Sequence, residues 1–400
     1  MVPRSKPTIS PLTFGQFTLE GYRWTMPKNS IPRLIYAASE SSADMLYATR
    51  FFVPDPFLYL EQNGKKSILL SDLEIDRGRR EAKVDEVISL SLIQRPLEKG
   101  LKRKPTIEQT IERFLRQRRV RRAAVPSDFP LGLAHALNVS GIKLEPISGL
   151  FDSQREFKRD EEIKQVQHAI ALAEVGLARA DEVLRASEIK PGRKLFWGGK
   201  RLTSELLRAE IECAILRAGG LPMNTIVAGG DQACDPHHRG SGPLAANSLI
   251  ILDVFPRAAD TGYYGDITRT VLRGKASEAQ KRLWHTVLEG QEHALKKIRP
   301  GVSGQELQKE VSDLFTDRGF PTEVREGRWT GFFHGLGHGL GLEIHESPRI
   351  AATEFKKGQV FTVEPGLYLP TVGGVRHEDD GAVTGNGFRV LSKFPKVLEL

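Results

Sequence analysis

Three histidines, His334, His338 and His345, are interleaved with glycines in the run GFFHGLGHGLGLEIHE, Gly331–Glu346. Glycine permits close backbone approach and unusual dihedrals, so the run reads as a tight scaffold presenting imidazoles rather than as a helix. Neither of the glycine-rich phosphate signatures, G-x-G-x-x-G or G-x-x-x-x-G-K-[ST], can be placed on it. H-E-x-x-H fails as well, because His345-Glu346 is followed by Ser347-Pro348-Arg349. Metal or acid–base chemistry is what remains, provided that acidic partners exist elsewhere.

Two pairs of carboxylates meet that condition. The apolar strand Leu249–Phe255 is interrupted by Asp253, and the returning strand Tyr263–Val271 carries Asp266. A hairpin centred between Ala259 and Asp260 would set these two aspartates directly opposite, on one face and about 4.5–5.5 Å apart. A carboxylate buried in a strand costs several kcal/mol unless it is paired or metal-bound. Further on, Gln359–Gly366 holds Glu364 at the end of an apolar strand, and Gly373–Asp380 brings back Glu378 after a turn. With His338, four carboxylates and one imidazole suit hard or borderline divalent ions such as Mn²⁺, Co²⁺ or Zn²⁺. Four negative charges call for about four positive ones, hence two metal ions. A two-metal site activates water and polarises a carbonyl or phosphoryl group.

The elements that must position these residues follow from length and pattern. A chain of 400 residues, 40% hydrophobic and 27% charged, has a globular composition and exceeds what one core fills. Two domains are expected, 1–153 and 154–400. No apolar run reaches the roughly 18–20 residues that span a bilayer. The opening MVPRSKPTIS lacks the apolar region of a secretory signal. Cys213 and Cys234 form neither a disulfide framework nor a C-x-x-C site, and Cys213 reads as a small buried residue on a helix. The cytoplasm is the expected location.

The first third alternates strand and helix patterns. Phe57–Leu60 and Lys66–Leu70 flank the hairpin signal Asn63-Gly64. Val84–Leu90 and Ala123–Val125 read as strands, and Thr106–Gln117 as a helix with Ile107, Ile111, Phe114 and Leu115 on its apolar stripe. Asp44, Asp55 and Asp72 read as turn residues. A net charge of +8 raises nucleic acid as a partner, and Lys102–Arg122 is its most basic stretch. A solvated helix face accounts for that stretch more simply, and no aromatic RNA signature accompanies it.

From Asp160 the pattern changes. Ile163, Val166, Ile170, Ala173, Leu177, Ala180 and Leu184 recur at spacings of three and four on a long helix, stopped by Ile189-Lys190-Pro191-Gly192. A second helix from Ser204 ends at Gly219-Gly220, and a β-rich region follows. The order then repeats. A helix from Ser277 stops at Ile298-Arg299-Pro300-Gly301, the capping box Ser303…Glu306 opens another, and β-rich sequence runs to Leu398. This is an internal helix–helix–sheet duplication whose two halves would enclose a cleft.

The ordered motifs GDITRT (Gly265–Thr270), HGLGHGLGLEIHE (His334–Glu346), VEPG (Val363–Gly366) and VRHED (Val375–Asp379) resemble those of the pita-bread metallopeptidases. That family includes methionine aminopeptidase, prolidase, Xaa-Pro aminopeptidase and creatinase. The similarity runs from about Asp160 to the C-terminus. A weaker one, at Asp44–Tyr47 and Ile68–Glu74, is to the creatinase/prolidase N-terminal domain. The resemblance implies an α+β protein, with a C-terminal pita-bread fold and a smaller N-terminal α/β domain. It implies Asp253, Asp266, His338, Glu364 and Glu378 as metal ligands, with Asp266 and Glu378 bridging. It also implies His237 and His345 beside the substrate, Glu364 relaying the proton of the attacking water, and Arg376 in the site.

Some positions depart from the family pattern. Asp253-Val254-Phe255 replaces the usual Asp-x-Gly, and the loop to Asp266 is two residues longer. An even insertion preserves the face on which each aspartate lies. Asp260-Thr261-Gly262 imitates the missing motif too close to Asp266. His377 stands where the family has an aliphatic residue and is expected to face outward. His334 is expected to support the site structurally. Trp329, Phe332 and Phe333 are expected in the core.

An extra N-terminal domain argues against a plain methionine aminopeptidase, and a complete ligand set argues against metal-independent relatives. The implied activity is hydrolysis of an Xaa-Pro bond at a free N-terminus, by an aminopeptidase or by a prolidase acting on dipeptides. A homodimer is implied by the resemblance alone. The rival reading is a catalytically inactive binding module for a protein or nucleic-acid partner.

Overall fold

The computed structural model describes residues 31–400, so Met1–Ser10 and the reading of that stretch lie outside the described residues. The N-terminal part is one six-stranded sheet. Its strands are β1 (Arg33–Ala37), β2 (Phe57–Gln62), β3 (Lys65–Leu70), β4 (Glu86–Ser89), β5 (Arg122–Pro126) and β6 (Lys143–Ile147). They lie in the order β4-β3-β2-β1-β5-β6. Asn63 and Gly64 take φ of 53° and 76°, the left-handed conformation that a two-residue hairpin between β2 and β3 requires. Leu90 leaves the expected strand and opens the helix Leu90–Leu101. The helix Ile107–Gln117 starts on a Thr106/Gln109 capping box and buries Ile111, Phe114 and Leu115.

Asp44 is not a turn residue. It lies in the first turn of the helix Ala43–Thr49. The basic stretch is partly neutralised: Arg116 pairs with Glu112 at 2.8 Å, Arg118 with Glu86 at 2.7 Å, and Arg122 with Glu145.

All seven stripe residues of the helix Asp160–Ala186 are buried. The helix ends before the Ile189–Gly192 signal, because Glu188–Lys190 pairs as a strand with Lys194–Phe196. The helix Ser204–Arg217 packs through Leu207, Ile211 and Ile215. Cys213 is exposed, contrary to expectation, since two residues of helix carry it roughly 200° round from Ile211. A three-stranded antiparallel sheet follows, with Ile250–Val254 between Ile226–Gly229 and Ile267–Val271.

The second half repeats this order. The helix Glu278–Lys297 begins on a Ser277/Gln280 capping box. The helix Gly304–Asp317 begins on Ser303, whose Oγ accepts from the Glu306 amide, the serine half of the expected box. Its sheet runs Glu346–Arg349, His338–Gly339, Val360–Val363, Asp379–Val383, Phe388–Val390. The expected duplication is therefore observed, and one core cluster is built mainly on the first helix pair and another mainly on the second. Among the described residues no helix is long and apolar enough to cross a membrane.

Two glycines let these layers close. A Cβ at Gly265 would sit 2.3 Å from the backbone nitrogen of Ile170, inside the long helix. One at Gly337 would sit 1.9 Å from the carbonyl oxygen of Thr362. Any side chain at either position would push a backbone aside.

Candidate active site

The two halves present their acidic residues at matching places. Asp266 immediately precedes Ile267–Val271, as Glu378 precedes Asp379–Val383. Asp253 lies near the end of Ile250–Val254, and Glu364 just beyond Val360–Val363. The register differs from the expected one. Asp253 faces Thr268 rather than Asp266. The chain reverses around Asp260–Gly262, where Gly262 has φ 78° and Arg257 bridges Tyr264, so the hairpin is offset by two residues. An even offset keeps both aspartates on one face.

Asp266, His338 and Glu378 are buried, and each offers a ligand atom within 4.8 Å of the others. His338 Nε2 lies 3.7 Å from Asp266 Oδ2 and 3.4 Å from Glu364 Oε1. Thr268 Oγ1 donates to Glu378 Oε2 at 2.7 Å, and the Glu378 amide donates to the Thr268 carbonyl at 3.1 Å. The Asp266 amide donates to Asp380 Oδ2 at 2.9 Å. In both side-chain bonds the first half holds a carboxylate of the second.

Asp253 is held by Arg376, whose Nη2 donates to Oδ2 at 2.7 Å. The same guanidinium donates to Thr268 Oγ1 at 3.2 Å and to Tyr368 Oη at 3.0 Å. Tyr368 Oη lies 2.8 Å from His334 Nε2. A continuous polar chain therefore runs from His334 to Asp253 beneath the site.

Burial, and then Glu378 and Asp253, raise Asp266 well above the usual carboxylate range. Burial, and then Glu364 and Asp253, do the same to Glu378. Glu364 is pushed up to about 7, by burial opposed by Arg376. Burial and the neighbouring His345 push His338 down to about 3, which leaves it neutral, the form that ligates metal. Asp253 Oδ1 and Asp266 Oδ1 are buried without a hydrogen-bond partner among the described residues. Carboxylates that resist charging, with free oxygens aimed inward and a neutral imidazole among them, fit a divalent cation.

His345 packs its ring edge-on to His338 at 4.3 Å between centroids and is exposed. His237 is also exposed, and its charge acts on both His345 and His334.

Two expectations fail. His377 is 0% exposed and lies edge-on to Trp284 at 4.7 Å. Strand alternation turns it away from the site as expected, but the helix Glu278–Lys297 covers that side. Trp329 is 57% exposed, because it sits on the isolated two-stranded hairpin Glu323–Arg325/Arg328–Thr330. Phe332 is core, whereas the half-buried Phe333 lies 5.1 Å from the Tyr368 ring.

Thr268, Tyr368 and Arg349 escaped the sequence reading. Arg349 is exposed, and its charge acts on His338, His345 and Glu364. Its one signal in the chain is its place four residues after His345.

The sequence profile of metallopeptidase family M24 matches residues 164–385. The chain belongs to that family and is a metallopeptidase with the pita-bread fold. It is 30% identical over 287 residues to an Xaa-Pro dipeptidase of Pyrococcus horikoshii, covering 70% of this chain and 75% of that protein. It is 32% identical over 260 residues to an Xaa-Pro dipeptidase of Pyrococcus furiosus, covering 64% and 68%. Its fold matches an X-Pro aminopeptidase from Thermotoga maritima with a TM-score of 0.77 at 23% identity, over 92% of this chain and 97% of that one. It matches a prolidase from Pyrococcus furiosus with a TM-score of 0.73 at 23% identity, over 91% and 97%. At such identities these structural likenesses speak for the fold alone.

Proposed function

We propose that this metallopeptidase hydrolyses Xaa-Pro dipeptides. The observation that carries the proposal is an exposed arginine, Arg349, acting on the same site as the buried cluster and the open histidines His237 and His345. A dipeptide brings a free carboxylate within one residue of its scissile bond, and the guanidinium of Arg349, paired in register opposite His338, is a natural partner for it. The relatives named Xaa-Pro dipeptidase support proline as the second residue.

In this reading Asp253, Asp266, His338, Glu364 and Glu378 hold two divalent ions, Mn²⁺ first among them. Ions bound there would supply Lewis acidity and make a water molecule acidic near neutral pH. Glu364 accepts the proton of the attacking water and returns it to the departing proline nitrogen. Its carboxylate lies 3.4 Å from His338 Nε2, within the cluster where that water would stand, which suits it to both tasks. His345 donates to the oxygen on which negative charge develops. His237 closes the substrate from the other side, and Arg376 holds the Asp253 carboxylate in place.

The test is a substrate panel of Xaa-Pro dipeptides and Xaa-Pro-Yaa tripeptides, with Mn²⁺, Co²⁺ or Zn²⁺ added to the stripped protein. Dipeptide cleavage that falls selectively in Arg349→Ala is the expected result. Equal cleavage of tripeptides, unaffected by that change, would make it an aminopeptidase. A homodimer, proposed from the family resemblance, is checked by light scattering.

A further inference from the structure

The loop that carries His345 is tied to the N-terminal sheet by a buried cluster of charges. Arg155 lies between the two parts of the chain, with its side chain only 5% exposed. Its Nη1 donates to Asp44 Oδ1 at 3.0 Å, and its Nη2 reaches Glu343 Oε2 and Glu346 Oε2, each at 2.5 Å. Lys158 Nζ lies 2.7 Å from the other oxygen of Glu346, whose side chain is 4% exposed. Glu346 Oε2 also accepts from the Glu343 amide at 3.2 Å, so it braces its own loop. A Cβ on Gly341 would strike Glu346 Oε1 at 2.4 Å, which shows how closely the loop wraps that carboxylate. Glu346 is the residue after His345. Burial alone would raise its carboxyl, but Lys158 and Arg155 outweigh burial and hold it below the usual range.

Asp44 belongs to the first turn of the helix Ala43–Thr49, and the other end of that helix is anchored as well. Arg50, its C-cap, donates to Tyr263 Oη and to Glu162 Oε1, both at 2.6 Å. Tyr263 stands three residues before Asp266. One seven-residue helix of the N-terminal sheet domain thus grips both the loop of His345 and the chain leading into Asp266.

We infer that the helix Ala43–Thr49, acting through Arg155, is a positioning device that sets His345 against the scissile bond. The inference rests on the catalytic reading for its consequence but not for its mechanics. Through two separate nitrogens the guanidinium reaches Asp44 on one side and Glu343 and Glu346 on the other, a spread that the single nitrogen of an ammonium does not reproduce. Arg155 is therefore required for its shape as well as its charge. Arg155 and Glu346 are buried and ion-paired, which narrows the arrangements open to them, and the histidine next to Glu346 inherits that restriction.

Two variants test it, Asp44→Asn, which removes only the N-terminal anchor, and Arg155→Lys, which keeps the charge and removes the bridge. Amide hydrogen exchange over residues 341–347 is expected to quicken by roughly tenfold in both, while Ile250–Val254 stays protected. On Xaa-Pro dipeptides kcat is expected to fall about tenfold to a hundredfold, with KM and bound metal unchanged within about twofold. In a His345→Ala background, Asp44→Asn should add less than about twofold, since both changes then act on one step. Unchanged exchange in residues 341–347 would overturn the inference, whatever the activity. So would an undiminished effect of Asp44→Asn when His345 is already gone. A wild-type protein without peptidase activity would sink the proposed function and leave exchange to judge the positioning.

Discussion

The two halves of the metallopeptidase domain share an architecture but divide the chemistry unequally. To the cluster around His338, the first half gives two aspartates, one on a regular antiparallel ladder and one just before it. From the second come His338, Glu364, Glu378 and Arg376, and its strand order is broken by the glycine-rich loop. Both halves bury carboxylates before corresponding strands, so the scaffold can place charge twice. Glu364, pushed up by burial to about 7 before a metal binds, belongs to the second half. The two halves pair their backbones alike, and the proton carrier of the proposed reaction lies in the second.

The comparison predicts two classes of damage. Glu364→Gln should lower kcat by about 10²–10⁴-fold, and added metal should not restore it, because a proton carrier is lost. Asp253→Asn should act instead through metal affinity, so activity lost at low Mn²⁺ returns at high Mn²⁺. If both variants respond alike to titrated metal, the division between halves is wrong.

A smaller effect sharpens the electrostatics. Asp266 and Glu378 are raised by burial and by their carboxylate neighbours, so they keep protons at pH values where a free carboxylate, with pKa about 4, has lost them. A metal must displace those protons. Affinity should therefore rise with pH from about 4 upward through the raised pKa values, with protons released on binding. His338, near pKa 3, is already neutral there and contributes none. Calorimetry in buffers of different ionisation enthalpy measures the release, and zero release would contradict the shifts.

Smaller again is the polar chain beneath the site. Tyr368→Phe breaks the links to His334 and to Arg376, and should cost about 10–100-fold in activity or metal affinity. Trp329→Ala should change kcat by less than about twofold, since the residue is exposed and meets the polar chain through Phe333. A large loss of kcat there would make the aromatic hairpin part of the substrate cleft.

What the chain reveals and what it hides follow from range. The glycine–histidine run, the two helix pairs and the interrupted strands are local patterns, and local physics reads them. The two-residue offset between Asp253 and Asp266 depends on where Asp260–Gly262 turns, which alternation cannot fix, because offsets of two look alike from either face. His377 shows the same boundary. Alternation says that it points away from Glu378, but not that Trp284 waits there. Arg155 and Glu346 are 191 residues apart, and nothing near either one announces the other. Cys213 was misplaced for a simpler reason, since a helical stripe tells a buried face from an exposed one only when its phase is right.

Gly265 and Gly337 carry a last consequence. Both stand inside the stretches by which this chain resembles its family, and both are there for clearance against a backbone. A search that scores those stretches is therefore weighing steric fit as heavily as reactivity. A descendant that exchanged Asp266 or Glu364 for an inert residue, yet kept its layers in contact, would retain most of the signature. Loss of catalysis in such lineages would leave a trace only at a few carboxylates and imidazoles, and those letters alone should be consulted when a related chain is suspected of having gone silent.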